Sequence, residues 1–321
     1  MLVLSERDVE ELLDPAGCLA AMEQALVALA RGEVFLPLRP MIQPPGAESV
    51  LALMSVHRGG DRPLYGLKTV AVFPANSARG LDPHQGTVSL FDGTTGQTLA
   101  VMNASPITAI RTAAASALAT RVLAREDAHV LAIVGSGHQA MAHLKALVEV
   151  RAFEEIRIAS RARANADALA ELHPAARATD SVEGAVRGAD VIVTVTSSAE
   201  PVLERGWIAD GAHINAVGSC FPNARELDSD TVAASTFFVD RRESAENEAG
   251  DFRLALADGA ITADHIAAEL GDALTGAHPG RTAPDEITVF ESLGLAVEDL
   301  FAAEYLLARA TETGRGQAVE F

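Results

Sequence analysis

The spacing of apolar and polar positions changes near the middle of the chain. From residue 130 onward, short continuous apolar runs at 130–134, 155–160, 191–195, 213–217, 236–240 and 287–290 read as strands, with a weaker one at 176–179. Runs of this length, unalternated and rich in β-branched residues, suit parallel strands covered on both faces. The stretches between them carry apolar residues at helical intervals, as Met141, Leu144, Leu147 and Val148 do. Strands alternating with helices predict a doubly wound α/β sheet with ligands at the carboxyl ends of its strands.

The first hundred residues read differently. Ser5 to Asp8 forms a capping-box pattern, and Asp14-Pro15 opens a longer helix with Leu19, Met22, Leu26 and Leu29 as its apolar stripe and Gly32 at its end. Short strands follow at 39–42, 49–56 and 65–73, then a hairpin of 86–91 against 97–102 that turns through residues 92–96. Ser105-Pro106 starts a helix to about Ala124, and Arg111 lies on its apolar face with Ile107, Ile110, Ala114 and Leu118. A charge there requires a partner or a cleft. A last helix, from Leu295 to about Ala310, returns to the first part. The expected architecture is a Rossmann-type parallel-sheet domain over 116–296 and a smaller α+β substrate and dimerisation domain over 1–115 with 297–321.

The junction at 129–140 carries the first chemistry. Val130 to Val134 ends at Gly135, and Gly135, Gly137 and Ala140 stand at G-x-G-x-x-A spacing before a helix. Such a turn lets a pyrophosphate approach the backbone and meet the helix N–H groups and dipole. At the end of the second strand, where NAD sites place an acid, the chain has Ser160, Arg161 and Arg163. An arginine there suits a 2′-phosphate, so NADP(H) is the expected cofactor and NAD(H) the alternative.

Composition narrows the partners. The 321 residues carry a formal charge of −19, which argues against nucleic acid or an anionic membrane. No apolar run approaches a membrane span, and charges at Glu6, Arg7 and Asp8 interrupt any signal-peptide pattern, so a cytoplasmic location is expected. Cys18 and Cys220 offer neither a disulfide framework nor metal-type spacing, and no metal is expected. Of 25 cationic residues only Lys68 and Lys145 are lysines. Lys68 stands in a strand-like segment with few other charges, which marks its ammonium as a candidate functional group.

Several segments, in order, resemble the ornithine cyclodeaminase and mu-crystallin family of NAD(P)-dependent enzymes over almost the whole length. They are Tyr65-Gly-Leu-Lys, Pro83-His-Gln-Gly, the hairpin with its Thr-Gly turn, Ile107-Thr-Ala-Ile-Arg-Thr-Ala-Ala, Val134-Gly-Ser-Gly-His-Gln-Ala, Ile214-Asn-Ala-Val-Gly-Ser, Arg225-Glu-Leu-Asp and Thr288-Val-Phe-Glu-Ser-Leu-Gly-Leu-Ala-Val-Glu-Asp. The resemblance implies a homodimer joined through the N-terminal domain, with substrate held between that domain and the nucleotide domain. It implies that Arg39, Lys68 and Arg111 bind a substrate carboxylate, Arg111 also reaching the cofactor, and that His138, Gln139, Thr196, Val217, Gly218 and Ser292 lie along the cofactor. Two departures separate the chain from the cyclodeaminase branch, whose aspartate and glutamate fall at Cys220 and Ala52. Pro83-His-Gln and Val217-Gly-Ser-Cys-Phe-Pro are more similar to the mu-crystallin side, which reduces cyclic ketimines.

The expectation is an NAD(P)H-dependent reductase of a small imino acid such as pyrroline- or piperideine-2-carboxylate. Lys68 or His84 supplies the proton, and Cys220 forms part of the pocket wall. Ornithine cyclodeamination, an amino-acid dehydrogenase and a non-catalytic NADP(H)-binding protein are the alternatives.

Overall fold

The computed structural model describes residues 1–82 and 84–320, with backbone alone at 77 and 78. Pro83, which opens one of the family-like segments, lies outside the described residues. The chain divides into two compact units, Met1–Arg111 with Leu295–Phe321, and Thr112–Gly294.

The chain opens with β1 (Leu2–Leu4), α1 (Glu6–Leu12) and α2 (Pro15–Ala30). Ser5 and Asp8 close the capping box at α1, and Asp14 caps α2 through the Gly17 amide. Then come β2 (Val34–Phe35), β3 (Met41–Ile42), β4 (Val50–Arg58), β5 (Leu64–Val72), β6 (His84–Asp92), β7 (Thr98–Asn103) and α3 (Ala104–Leu123). The strand expected at 39–42 is only two residues long. β1, unforeseen because three residues show no period, pairs in parallel with β7. α3 crosses the division of the units. Its first turns carry Arg111 in the first unit, and Ser116 and Thr120 belong to the second.

The second unit is the doubly wound α/β sheet the pattern predicts. It runs through β8 (Val130–Val134), α4 (His138–Leu147), β9 (Glu155–Ala159), α5 (Arg163–Ala170), β10 (Ala176–Ala178), α6 (Val182–Val186), β11 (Val191–Thr194) and β12 (His213–Ala216). It continues with α7 (Ser229–Ala233), β13 (Thr236–Val239), α8 (Arg242–Glu248), α9 (Gly250–Ala257), β14 (Ile266–Glu269), α10 (Leu270–Thr275) and β15 (Thr288–Glu291). All neighbours are parallel in the order β10-β9-β8-β11-β12-β15-β13-β14. Every residue of β8, β11, β12 and β15 is buried, as expected for strands covered on both faces. The strand order reverses between β8 and β11, which opens a ligand crevice at their carboxyl ends.

The chain then re-enters the first unit as α11 (Ala296–Thr313) and β16 (Gln317–Ala318). Sheet order there is β16-β1-β7-β6-β5-β4-β2, with β3 on β4. Alternate residues of β4 and β5, Val50, Ala52, Met54, Val56, Leu64, Gly66 and Lys68, turn to the buried face. α11 packs against β4, β5 and β6.

Candidate active site

Lys68 occupies a position on β5 that the strand's alternation gives to the core, opposite Met54 on β4 and Val88 on β6. It is 2 % exposed. An isolated ammonium there would be costly, and the structure supplies partners from two helices. Its Nζ lies 2.8 Å from Asp299 Oδ2, donates to Oδ1 at 2.9 Å, and donates to Thr108 Oγ1 at 3.4 Å. Arg111, also buried, donates through Nε to Asp299 Oδ1 at 3.2 Å and through Nη1 to Glu298 Oε2 at 2.7 Å. Two cations thus meet two carboxylates inside the first unit. Glu298 and Asp299 stand in the first turn of α11, where the helix dipole and free amides favour negative charge.

Burial, reinforced by the Arg111 charge and opposed by Asp299, pushes the Lys68 ammonium down to about 8. Burial also lowers Arg111, but the two acids outweigh it and hold the guanidinium charged. Glu298 is raised by burial despite Arg111. The cluster therefore combines an ammonium brought down to about 8 with a guanidinium held charged beside it.

In the second unit, Gly135 adopts φ +131°, and a Cβ there would lie 2.7 Å from the Val195 carbonyl oxygen. Only glycine makes this turn. A Cβ on Gly137 would meet nothing within 4 Å, and Gly137, as the N-cap of α4, offers the first amides of the helix no side-chain acceptor. Gln139 Oε1 and Ser292 Oγ are buried with no hydrogen-bond partner among the described residues. Bare helix amides, a glycine-only turn and orphaned polar atoms fit a dinucleotide and its pyrophosphate. Ser160 and Ser136 share a hydrogen bond of 2.7 Å beside this turn. Arg163 is neutralised by Asp167 and Asp180. Arg161 is exposed and makes no ion pair among the described residues, which leaves it as the cation open to a phosphate.

The remaining expected residues are more dispersed. Arg39 lies half-buried between β2 and β3, whereas the hydrogen bonds of Lys68 and Arg111 described above run to α3 and α11. His84 opens β6 on the same sheet face as Lys68, but the register places it about 13 Å further along the strands. Its ring is half exposed and 3.8 Å from Asp82. Thr196 and Val217-Gly218 follow β11 and β12 at the expected strand ends. The Cys220 thiol donates to the Val217 carbonyl at 3.3 Å. In the sequence, Glu298 and Asp299 stand out only as the end of a family-like segment. Nothing local marks them as partners of residues 231 and 187 positions away.

Comparison with known proteins bears directly on this arrangement. The sequence model of the "Ornithine cyclodeaminase/mu-crystallin family" matches residues 1–314. The chain is 39 % identical over 306 residues to the ketimine reductase mu-crystallin of Mus musculus, covering 94 % of this chain and 95 % of that protein. It superposes at a TM-score of 0.96, with 36 % identity, on the Delta(1)-pyrroline-2-carboxylate reductase of Thermococcus litoralis in complex with NADH and L-proline, covering 99 % and 100 % of the two chains. An archaeal alanine dehydrogenase dimer with bound NAD gives a TM-score of 0.94 and 31 % identity over 100 % of this chain and 99 % of that one.

Proposed function

The chain belongs to the ornithine cyclodeaminase/mu-crystallin family, and from that premise we propose that it is an NAD(P)H-dependent reductase of cyclic imino acids, acting on a pyrroline- or piperideine-2-carboxylate. The observation that carries this reading is the buried Lys68–Asp299–Arg111–Glu298 cluster. The Lys68 ammonium and the Arg111 guanidinium retain donors for a substrate carboxylate, and the planar guanidinium suits a two-oxygen grip. A dinucleotide held by the Gly135 turn and the start of α4 would supply, when bound, the hydride for the C=N carbon. Lys68 supplies the proton to the imine nitrogen, since an ammonium at about 8 is charged at pH 7 yet acidic enough to give the proton up. Asp299 holds the Lys68 nitrogen in place through that transfer.

Ornithine cyclodeamination requires a group that manages the distal amine. The two positions where the cyclodeaminase branch carries acids hold Cys220, whose thiol turns back on Val217, and Ala52, a buried alkyl group on β4. The likeness to alanine dehydrogenase supports a second reading, an amino-acid dehydrogenase, which uses the same cluster on an acyclic imino acid.

For the cofactor, the open Arg161 and the absence of an acid at the end of β9 support NADP(H) over NAD(H). A homodimer is part of the same reading. The outward face of the first unit's sheet carries Phe35, Ile42, Leu51 and Tyr65 in exposed positions, with Leu53 and Leu67 between them, an apolar patch that a second copy would cover.

Carboxylate recognition is tested by comparing Δ1-pyrroline-2-carboxylate with 1-pyrroline, which has the same imine and no carboxylate. Loss of the paired anion should lower kcat/KM by about a thousandfold or more. Equal turnover of the two would remove the role assigned to Lys68 and Arg111.

A further inference from the structure

Glu226 belongs to the Arg225-Glu-Leu-Asp segment and is completely buried in the second unit. Its Oε1 accepts the backbone N–H of Thr196 at 2.6 Å, and its Oε2 accepts that of Gly218 at 2.7 Å. Thr196 follows β11 and Gly218 follows β12, strands that pair directly. One carboxylate therefore ties together the two turns that leave the carboxyl ends of neighbouring strands. The contact is too close for any side chain at Gly218: a Cβ there would lie 2.2 Å from the Thr196 oxygen and 2.6 Å from the Glu226 carboxyl carbon.

Glu226 is itself held. Asp251, equally buried on α9, accepts the N–H groups of Glu226 and Leu227 through Oδ1, each at 2.8 Å. Ser219 Oγ accepts the Asp251 N–H at 2.9 Å and donates to the Ala224 carbonyl at 3.0 Å, closing the segment that follows β12. The Glu226 carbonyl accepts from Val202 and Leu203 at 2.7 and 3.0 Å. Burying two acids this close is costly. Burial and the neighbouring Glu226 push Asp251 up to about 7, and burial raises Glu226 as well. Apolar packing of the same volume would not carry that cost.

We propose that Glu226 is a positioning residue for the nicotinamide end of the cofactor: it fixes the Thr196 and Gly218 turns in the form that receives the ring, and Asp251 anchors it. The proposal rests on the reading of the second unit as the cofactor-binding one. A carboxylate suits the task because it offers an acceptor to each amide. Glutamine offers one and must turn its NH2 toward the other.

The test uses the full-length protein and Glu226→Gln. Binding of NADH and of NADPH is followed by nicotinamide fluorescence, and hydrogen exchange is measured on the cofactor-free protein. The expected result is a Kd raised at least tenfold for the better cofactor, with exchange at least tenfold faster at 195–198 and 217–220 and unchanged in β8 and β9. Wild-type affinity in the variant overturns the proposal, and so does exchange that accelerates across the whole second sheet, which marks a merely structural residue. If Glu226→Gln does not fold, the wild type decides. Its Thr196 and Gly218 amides should be protected to the level of β11 and β12, and exchange at the rate of open loops overturns the proposal. If the wild type binds neither dinucleotide, the cofactor reading fails and takes the proposal with it, while the exchange rates still report whether the tie exists.

Discussion

Lys68 stands where the alternation of β5 calls for another apolar side chain after Leu64 and Gly66, and the lysine is conspicuous in a chain that otherwise uses arginine almost throughout. That contrast made it legible as a functional group. Its partners were not legible, because Asp299 lies 231 positions away and reaches it only once α11 has returned to the sheet. The same distance explains Arg111: its place on an apolar helix face left an ion pair and a ligand contact equally open, and the structure supplies the ion pair. The pH dependence follows from Lys68. A proton donor is present below its pKa and lost above it, and burial sets this one at about 8. With Δ1-pyrroline-2-carboxylate, kcat/KM should be flat up to about pH 8 and then fall about tenfold per pH unit. Lys68→Met should lower it at least a hundredfold and abolish the break, on the scale of general acid catalysis. A variant that keeps its activity and the break would move the donor elsewhere, with His84 the next residue to change.

At the level of elements, the glycine turn before α4 was readable because its determinants are local: an apolar run, Gly135 at a conformation other residues avoid, and a helix that starts at once. β1 and β16 were not, since strands of three and two residues carry no period and form only by adding to β7 and to each other. α11 was foreseen as a helix that returns, yet its charged first turn does more than end a connection. Glu298 and Asp299 enter the core there and depend on Arg111 for compensation. Arg111→Met should therefore leave two buried acids with Lys68 alone and cost about 3–5 kcal/mol in urea unfolding. A loss below about 1 kcal/mol would mean that the acids are solvated rather than held by Arg111.

On the scale of the whole molecule, the change of period near residue 130 separated the antiparallel-rich unit from the parallel one, and the two sheets have those characters. Strand order beyond β12 was hidden from sequence, because β15 inserts between β12 and β13 through contacts that no local pattern records. The apolar outer face of the first sheet belongs to this scale too. Leu51→Glu with Tyr65→Glu should convert a dimer into a monomer in sedimentation equilibrium, and a wild type that sediments as a monomer would contradict the proposed assembly. Above all stands the reaction itself. The most direct measurement is turnover by the purified protein: oxidation of NADPH and of NADH with Δ1-pyrroline-2-carboxylate, beside formation of proline and ammonia from ornithine. A cyclic-imine reductase oxidises NADPH rapidly with the imine, prefers it to NADH, and forms no proline from ornithine. Proline and ammonia formed from ornithine with catalytic cofactor would contradict it, and would show that the chain cyclises a diamine without acids at positions 52 and 220.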